Sequence, residues 1–164
     1  MTTDTAAKRS QLTLLFLLRD SQILLAMKKI GHGSGKWNGT GGKCEPGETP
    51  EQAAVRECQE EVGVTARTIT PAGILRFYQE PPVDMYSNID VHVYTCREWE
   101  GDPRESEEMK PKWFDIDTIP YENMWQDDQH WLPHVLAGKI VDGTFVFDDA
   151  YELTRHDVTT KEAL

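Results

Sequence analysis

The chain has 164 residues and a net charge of −11, from 28 acidic against 17 basic side chains, with 38% hydrophobic residues. That length suits one globular domain with an ordinary core. The acidic balance leaves no basic stripe for a nucleic-acid polymer, so a phosphorylated partner must be a small molecule bridged by cations. Cys44, Cys58 and Cys96 show neither paired nor metal-like spacing, which points to a reducing compartment. Residues 1–10 read as a flexible polar tail, and 11–164 as a single domain. The apolar run 12–18 is too short for a membrane span and is closed by Arg19 and Asp20. It reads as a first strand, and the protein as a cytoplasmic monomer with no membrane partner.

Residues 11–18 and 22–29 form strand-like runs joined by Arg19-Asp20-Ser21, a hairpin. A glycine-rich loop follows at 31–42, then a helix over 50–62. Strand-like segments lie at 64–70, 73–78 and 89–96, with a Pro-Pro loop at 80–88 between the last two. A polar loop, 97–108, leads to a short strand at 112–116. Asp127 can cap a second helix reaching residue 137, with Trp131, Leu132, Val135 and Leu136 as its apolar positions. Asp142-Gly143 reads as a hairpin turn between 139–141 and 144–147. This order predicts an α/β fold, a mixed β-sheet sandwiched between α-helices.

The first helix carries the chemistry. Thr49 and Gln52 spell a capping box, Pro50 suits the first turn, and Gly63 suits a left-handed C-terminus. Glu57, Glu60 and Glu61 stand at i, i+3 and i+4 and share one face, while Val55, Cys58 and Val62 turn toward a core. Three adjacent carboxylates repel unless neutralised. Such an oxygen-rich face suits Mg²⁺, with Mn²⁺ as the alternative ion, bound jointly with substrate phosphates. Arg56 can hold Glu48 or one of these glutamates in a bidentate pair.

Other signals are weaker. Gly31-His32-Gly33-Ser34-Gly35-Lys36 lacks P-loop spacing and reads as a site entrance, with Lys28 or Lys36 near phosphates. His130 and His134 lack the metalloprotease glutamate between them and read as surface or packing residues. In Trp125-Gln126-Asp127-Asp128, Trp125 can wall a purine pocket while the two carboxyls meet the base edge. Adjacent buried carboxyls cannot both ionise comfortably, so they would share a proton and offer donor and acceptor together.

From Gly42 to Val64 the intervals of Gly42, Glu48, Arg56, Glu57, Glu60, Glu61 and Gly63 match the Nudix box, with Cys58 in an aliphatic place. Lys36-Trp37-Asn38-Gly39 and Trp125-Gln126-Asp127-Asp128 extend the resemblance over most of the chain, toward the animal-type MutT homologues, which are oxidised-purine nucleoside triphosphatases. The resemblance implies a Nudix fold and Mg²⁺-dependent hydrolysis of 8-oxo-dGTP or 2-hydroxy-dATP to monophosphate and pyrophosphate. It implies that Glu57, Glu60, Glu61, the Gly42 carbonyl and Glu108 serve the metal. It also implies that Asn38, Trp125, Asp127 and Asp128 read the base, with Thr13, Lys28 and Phe77 lining the pocket. Glu61 is the expected water-activating base, Glu60 the alternative, with Arg56 and Glu108 completing the catalytic set. The sequence departs from the subgroup at His32, Thr40, Gln79, Ile89 and Gln126 and in a longer 80–88 loop, which implies a wider or more polar pocket. The rival readings are a Nudix hydrolase of ADP-ribose, a dinucleotide or unmodified dNTPs, and a non-catalytic nucleotide-sensing module.

Overall fold

In the computed structural model, which describes residues 9–163, β1 (Ser10–Arg19) and β2 (Gln22–Lys28) form the expected hairpin around Asp20, whose φ is 53°. They stay paired only at Leu18–Ile23 and Arg19–Gln22. β1 then follows β5 (Asn88–Glu100) in parallel, from Ser10–Ile89 to Leu17–Cys96. β2 pairs along its whole length with β6 (Met109–Asp115). The segment after the glycine-rich loop inserts where the two strands part. There β3 (Trp37–Asn38) pairs with Met27 and Ala26, while Thr40 and Lys43 bridge to Leu15 and Leu12. This splayed hairpin is what opens a site in the sheet.

β4 (Thr65–Gln79) runs antiparallel to β5 and parallel to β7 (Lys139–Phe147), which pairs antiparallel with β8 (Leu153–Glu162). The sheet is therefore mixed, as expected. Successive β1 side chains serve opposite faces. Leu15 and Leu17 join Ala54, Cys58 and Val62 of α1 (Pro50–Val62), whereas Phe16 and Leu18 join Trp131, Leu132 and Val135 of α2 (Asp128–Leu136). Two helices thus cover the sheet from opposite sides. α1 has the bounds and caps expected of it: Thr49 Oγ1 accepts from the Gln52 N–H at 3.1 Å, and Gly63 adopts φ 76°.

Several expectations change. Residues 64–70 and 73–78 are one bulged strand, because Pro71 and Gly73 shift the register of β4 without ending it. Asp142-Gly143 is not a turn but the middle of β7; Gly143 is needed because a Cβ there would stand 2.7 Å from the Phe145 ring. The reversal comes at residues 148–152, where Asp148 Oδ1 accepts the Ala150 and Glu152 N–H groups, each at 2.9 Å. It leads into β8, which no apolar alternation announced because most of its side chains are exposed. Asp127 makes no side-chain cap for α2; its carboxylate accepts from Trp131 Nε1 at 2.7 Å instead. At the N-terminus the strand already begins at Ser10, and Arg9 donates to Asp90 at 2.6 Å, so these two residues are not part of a loose tail. The remainder of the proposed tail, 1–8, lies outside the described residues. No described helix is long and apolar enough to cross a membrane.

Candidate active site

The acidic half of the site is assembled around Arg56. Its guanidinium grips Glu48 bidentately, Nε to Oε2 at 2.7 Å and Nη2 to Oε1 at 2.9 Å. Nη1 donates to Glu57 and Glu60, both at 3.2 Å, and Nη2 reaches the Lys43 carbonyl at 3.2 Å. The loop before α1 is thereby strapped to the helix that carries the glutamates. That hydrogen bond from Arg56 holds the Glu48 carboxyl down to about 2, and Glu48 in turn holds the arginine proton more firmly than usual.

Glu61 is buried, at 5% exposure, and its Oε1 accepts from the Gly41 N–H at 3.0 Å. Burial pushes its pKa up to about 8, with the charges of Glu57 and Glu108 adding to the rise. Glu57 is raised for the same leading reason, partly offset by Arg56. Glu60 and Glu108 are exposed. As the side chains stand, no three acidic, histidine or cysteine groups among the described residues converge tightly enough to hold an ion. The donor set nonetheless consists of hard carboxylate oxygens. Two of them have raised proton affinity, and Glu57, Glu61 and Glu108 repel one another electrostatically. These residues fit a hard divalent cation, which a thiol- or imidazole-selecting metal would not favour.

Glycines let the parts meet. A Cβ on Gly42 would stand 2.5 Å from Glu57 Oε2, and one on Gly41 would stand 1.9 Å from the Thr13 carbonyl oxygen. Gly41→Ala is therefore expected to destabilise the fold by about 3 kcal/mol and to displace the N–H that holds Glu61; thermal denaturation and turnover of one variant check both. The Gly42 carbonyl, expected at a metal, accepts from Thr13 twice, from its N–H at 2.9 Å and from its hydroxyl at 3.5 Å, and the longer contact is the one a further partner would replace.

A cavity of about 230 Å³ runs from the Gly41–Gly42 backbone to Asp127 and Asp128. Thr13, Lys28, Asn38, Phe77 and Trp125, the other expected substrate residues, all line it. Lys36 lines it too, with its ammonium 5.2 Å from the Trp125 ring centroid. Asp127 and Asp128 are buried, at 3% and 2% exposure. Burial raises the proton affinity of both, and the charge of Asp127 raises Asp128 further, well above the ordinary carboxyl range. Asp128 Oδ2 is buried without any hydrogen-bond partner. Asp128 lines the cavity, so a carboxyl with an orphaned oxygen there is a place for a ligand's polar edge.

His130 and His134 lie apart from the cavity lining: His130 stacks on His156 at 3.9 Å, and His134 is exposed. The substrate set expected from the sequence omitted His32, Gln79, Tyr86 and Tyr151, which also line the cavity. His32 and Gln79 carried a signal, as departures from the resembled pattern. Tyr86 and Tyr151 carried none, since loop residues reach the cavity only through tertiary structure.

The NUDIX domain profile matches residues 9–135. The oxidized purine nucleoside triphosphate hydrolase of Danio rerio is 43% identical over 153 residues, covering 93% of this chain and 96% of that protein. The mouse protein of the same description is 42% identical over 137 residues, covering 84% and 86%. Among solved structures, a MutT protein from Bacillus halodurans superposes with a TM-score of 0.79 at 27% identity, covering 91% of this chain and 97% of its own.

Proposed function

The chain belongs to the NUDIX domain family and is a Nudix hydrolase, and we propose that it hydrolyses oxidised purine nucleoside triphosphates, 8-oxo-dGTP and 2-hydroxy-dATP, to monophosphate and pyrophosphate. The named activity of its animal relatives supports this reading. The observation that carries it is the buried Asp127–Asp128 pair with its orphaned Oδ2, set beside Trp125 in a cavity that also reaches the Gly41–Gly42 backbone, where the Gly41 N–H holds Glu61. A pair holding one shared proton can present a donor or an acceptor to differently oxidised base edges.

Family membership calls for a divalent cation. We assign Mg²⁺, which Glu57, Glu60, Glu61, Glu108 and the Gly42 carbonyl would hold. When bound, that ion supplies positive charge that keeps the carboxylates ionised and screens the triphosphate. Arg56 fixes Glu57 and Glu60 from behind, and Lys28 offers an ammonium to the phosphates. Glu61 is anchored through Oε1 to Gly41. Its other oxygen takes a proton from the attacking water as that water adds to phosphorus and pyrophosphate departs. Trp125 and Phe77 flank the base, and Asn38 and Thr13 bound the cavity beside it. The unpaired Cys44, Cys58 and Cys96 support a reducing, cytoplasmic setting.

The test is pyrophosphate release with Mg²⁺ from 8-oxo-dGTP, 2-hydroxy-dATP, dGTP, dATP and ADP-ribose at matched low concentrations. The oxidised purines should be strongly preferred; turnover of ADP-ribose or plain dNTPs alone would overturn the pocket assignment. Chelation should abolish turnover, and added Mg²⁺ should restore it. Restoration by Mn²⁺ but not Mg²⁺ would replace the assigned ion.

A further inference from the structure

Two departures from the resembled pattern, His32 and Gln79, touch the same element: the long loop that joins β4 to β5. Gln79, 5% exposed, accepts from Ser87 Oγ at 2.8 Å and donates through Nε2 to the Asp148 carbonyl at 3.0 Å. The same Ser87 hydroxyl accepts the N–H groups of Val83, at 2.7 Å, and Asp84, at 3.0 Å. Asp84 then takes the Tyr86 N–H at 2.8 Å and the Tyr151 hydroxyl at 3.1 Å. A buried glutamine thus fastens the loop at its base, and Asp84 ties it to the β7–β8 turn. A loop so pinned is a built part of the cavity rather than a solvated excursion.

What the loop delivers is an aromatic ring. Tyr86 stacks on His32 with centroids 4.2 Å apart and planes within 4°. His32 also stacks on Trp125, at 5.1 Å and 27°, and Tyr151 closes against both at 5.6 Å and 5.9 Å. All four rings line the cavity. His32 is half-buried, and that burial lowers its proton affinity; Lys28 acts in the same direction while Asp84 opposes. The imidazole is therefore uncharged at neutral pH and stacks as an aromatic ring. An isolated histidine would have made the pocket wetter; stacked between Tyr86 and Trp125 it is the middle layer of an aromatic column.

We propose that Tyr86 and His32 act as one specificity-determining unit, a roof brought over the base pocket by loop 80–88 that grips planar bicyclic bases and so selects purine over pyrimidine nucleotides. The proposal deepens the purine-triphosphatase reading and rests on it. A bicyclic base that adds a layer to an aromatic column overlaps it over more area than a single ring does, so the stack rewards purines disproportionately.

The test compares Tyr86→Ala, His32→Ala, their combination and His32→Phe, measuring kcat, KM and melting temperature on the best purine triphosphate and on 5-hydroxy-dCTP. Each alanine variant should raise purine KM about tenfold while kcat stays within about twofold. The double variant should be within about twofold of the worse single one, as partners in one stack are not additive. His32→Phe should retain tight binding, and pyrimidine KM should move less than purine KM. Unchanged purine KM in Tyr86→Ala, equal losses for both base classes, or additive effects would overturn the roof. Should His32→Ala fail to fold, Tyr86→Ala on the half-exposed loop still decides. A parent enzyme active on some other purine nucleotide overturns the oxidised-purine reading alone, and the variants are then compared on that nucleotide. A parent that turns over no purine nucleotide overturns both.

Discussion

Glu61→Gln is expected to lower kcat by about 10²–10⁴-fold while leaving the fold intact. Glutamine keeps an oxygen that can accept the Gly41 N–H, so the contact at 3.0 Å that holds the loop to α1 survives. It removes both the negative charge and the basic oxygen. Because Glu61 is 5% exposed and burial already pushes its pKa up to about 8, a neutral isostere relieves a desolvation cost. The metal-free variant should therefore melt no lower than the parent. Loss of turnover with unchanged or raised melting temperature identifies a chemical role, whereas loss of both would make the residue structural. Glu60 provides the control. It is exposed and bonded to Arg56 at 3.2 Å, so Glu60→Gln should lose less turnover than Glu61→Gln. The reverse order of losses would move the base to Glu60.

The acidic half of this site was legible because its information is local. The capping box Thr49–Gln52, the left-handed Gly63 and the spacing of Glu48, Arg56, Glu57, Glu60 and Glu61 all act within one helix and the loop before it. The base pocket was legible only in part. Trp125, Asp127 and Asp128 sit in one short segment, but whether Asp127 caps α2 or serves another group depends on the position of the Trp131 indole, one turn on. Long-range pairing was the least visible. Asp142-Gly143 carries the composition of a turn, yet the Phe145 ring lying over Gly143 explains the glycine equally well, and only the partner strands β4 and β8 decide between them. β8 has one buried neighbour and an exposed flank, so no alternation of apolar residues marks it. Tyr86 reaches the cavity through Gln79 and Ser87, a contact between loop and strand that no spacing rule encodes.

Asp128→Asn is expected to change which base the enzyme prefers rather than how fast it works. Asp127 already accepts from Trp131 Nε1 at 2.7 Å, so it is the better carboxylate of the pair. Asp128, raised by burial and by the charge of Asp127, holds the shared proton; the residue lines the cavity and its Oδ2 is buried without a partner. Proton redistribution lets that carboxyl donate to one base edge and accept from another. An asparagine fixes the pattern. The base that needs the lost arrangement then leaves a buried group unpaired, at a cost of about 1–3 kcal/mol, or roughly ten- to hundredfold in kcat/KM. The ratio of kcat/KM for 8-oxo-dGTP to that for 2-hydroxy-dATP should shift by at least about tenfold, with kcat on the retained base little altered. Stability gives an independent readout with a definite sign. The folded-state pKa of Asp128 lies above its ordinary value of 3.8. Its contribution to stability is thus complete below that value and is lost as pH rises through the folded-state pKa. Asparagine does not titrate, so its melting temperature relative to the parent should climb as pH rises above 3.8, until Asp128 of the parent is fully ionised. A parental substrate ranking together with a flat difference in melting temperature would show that the two carboxyls neither share a proton nor read the base.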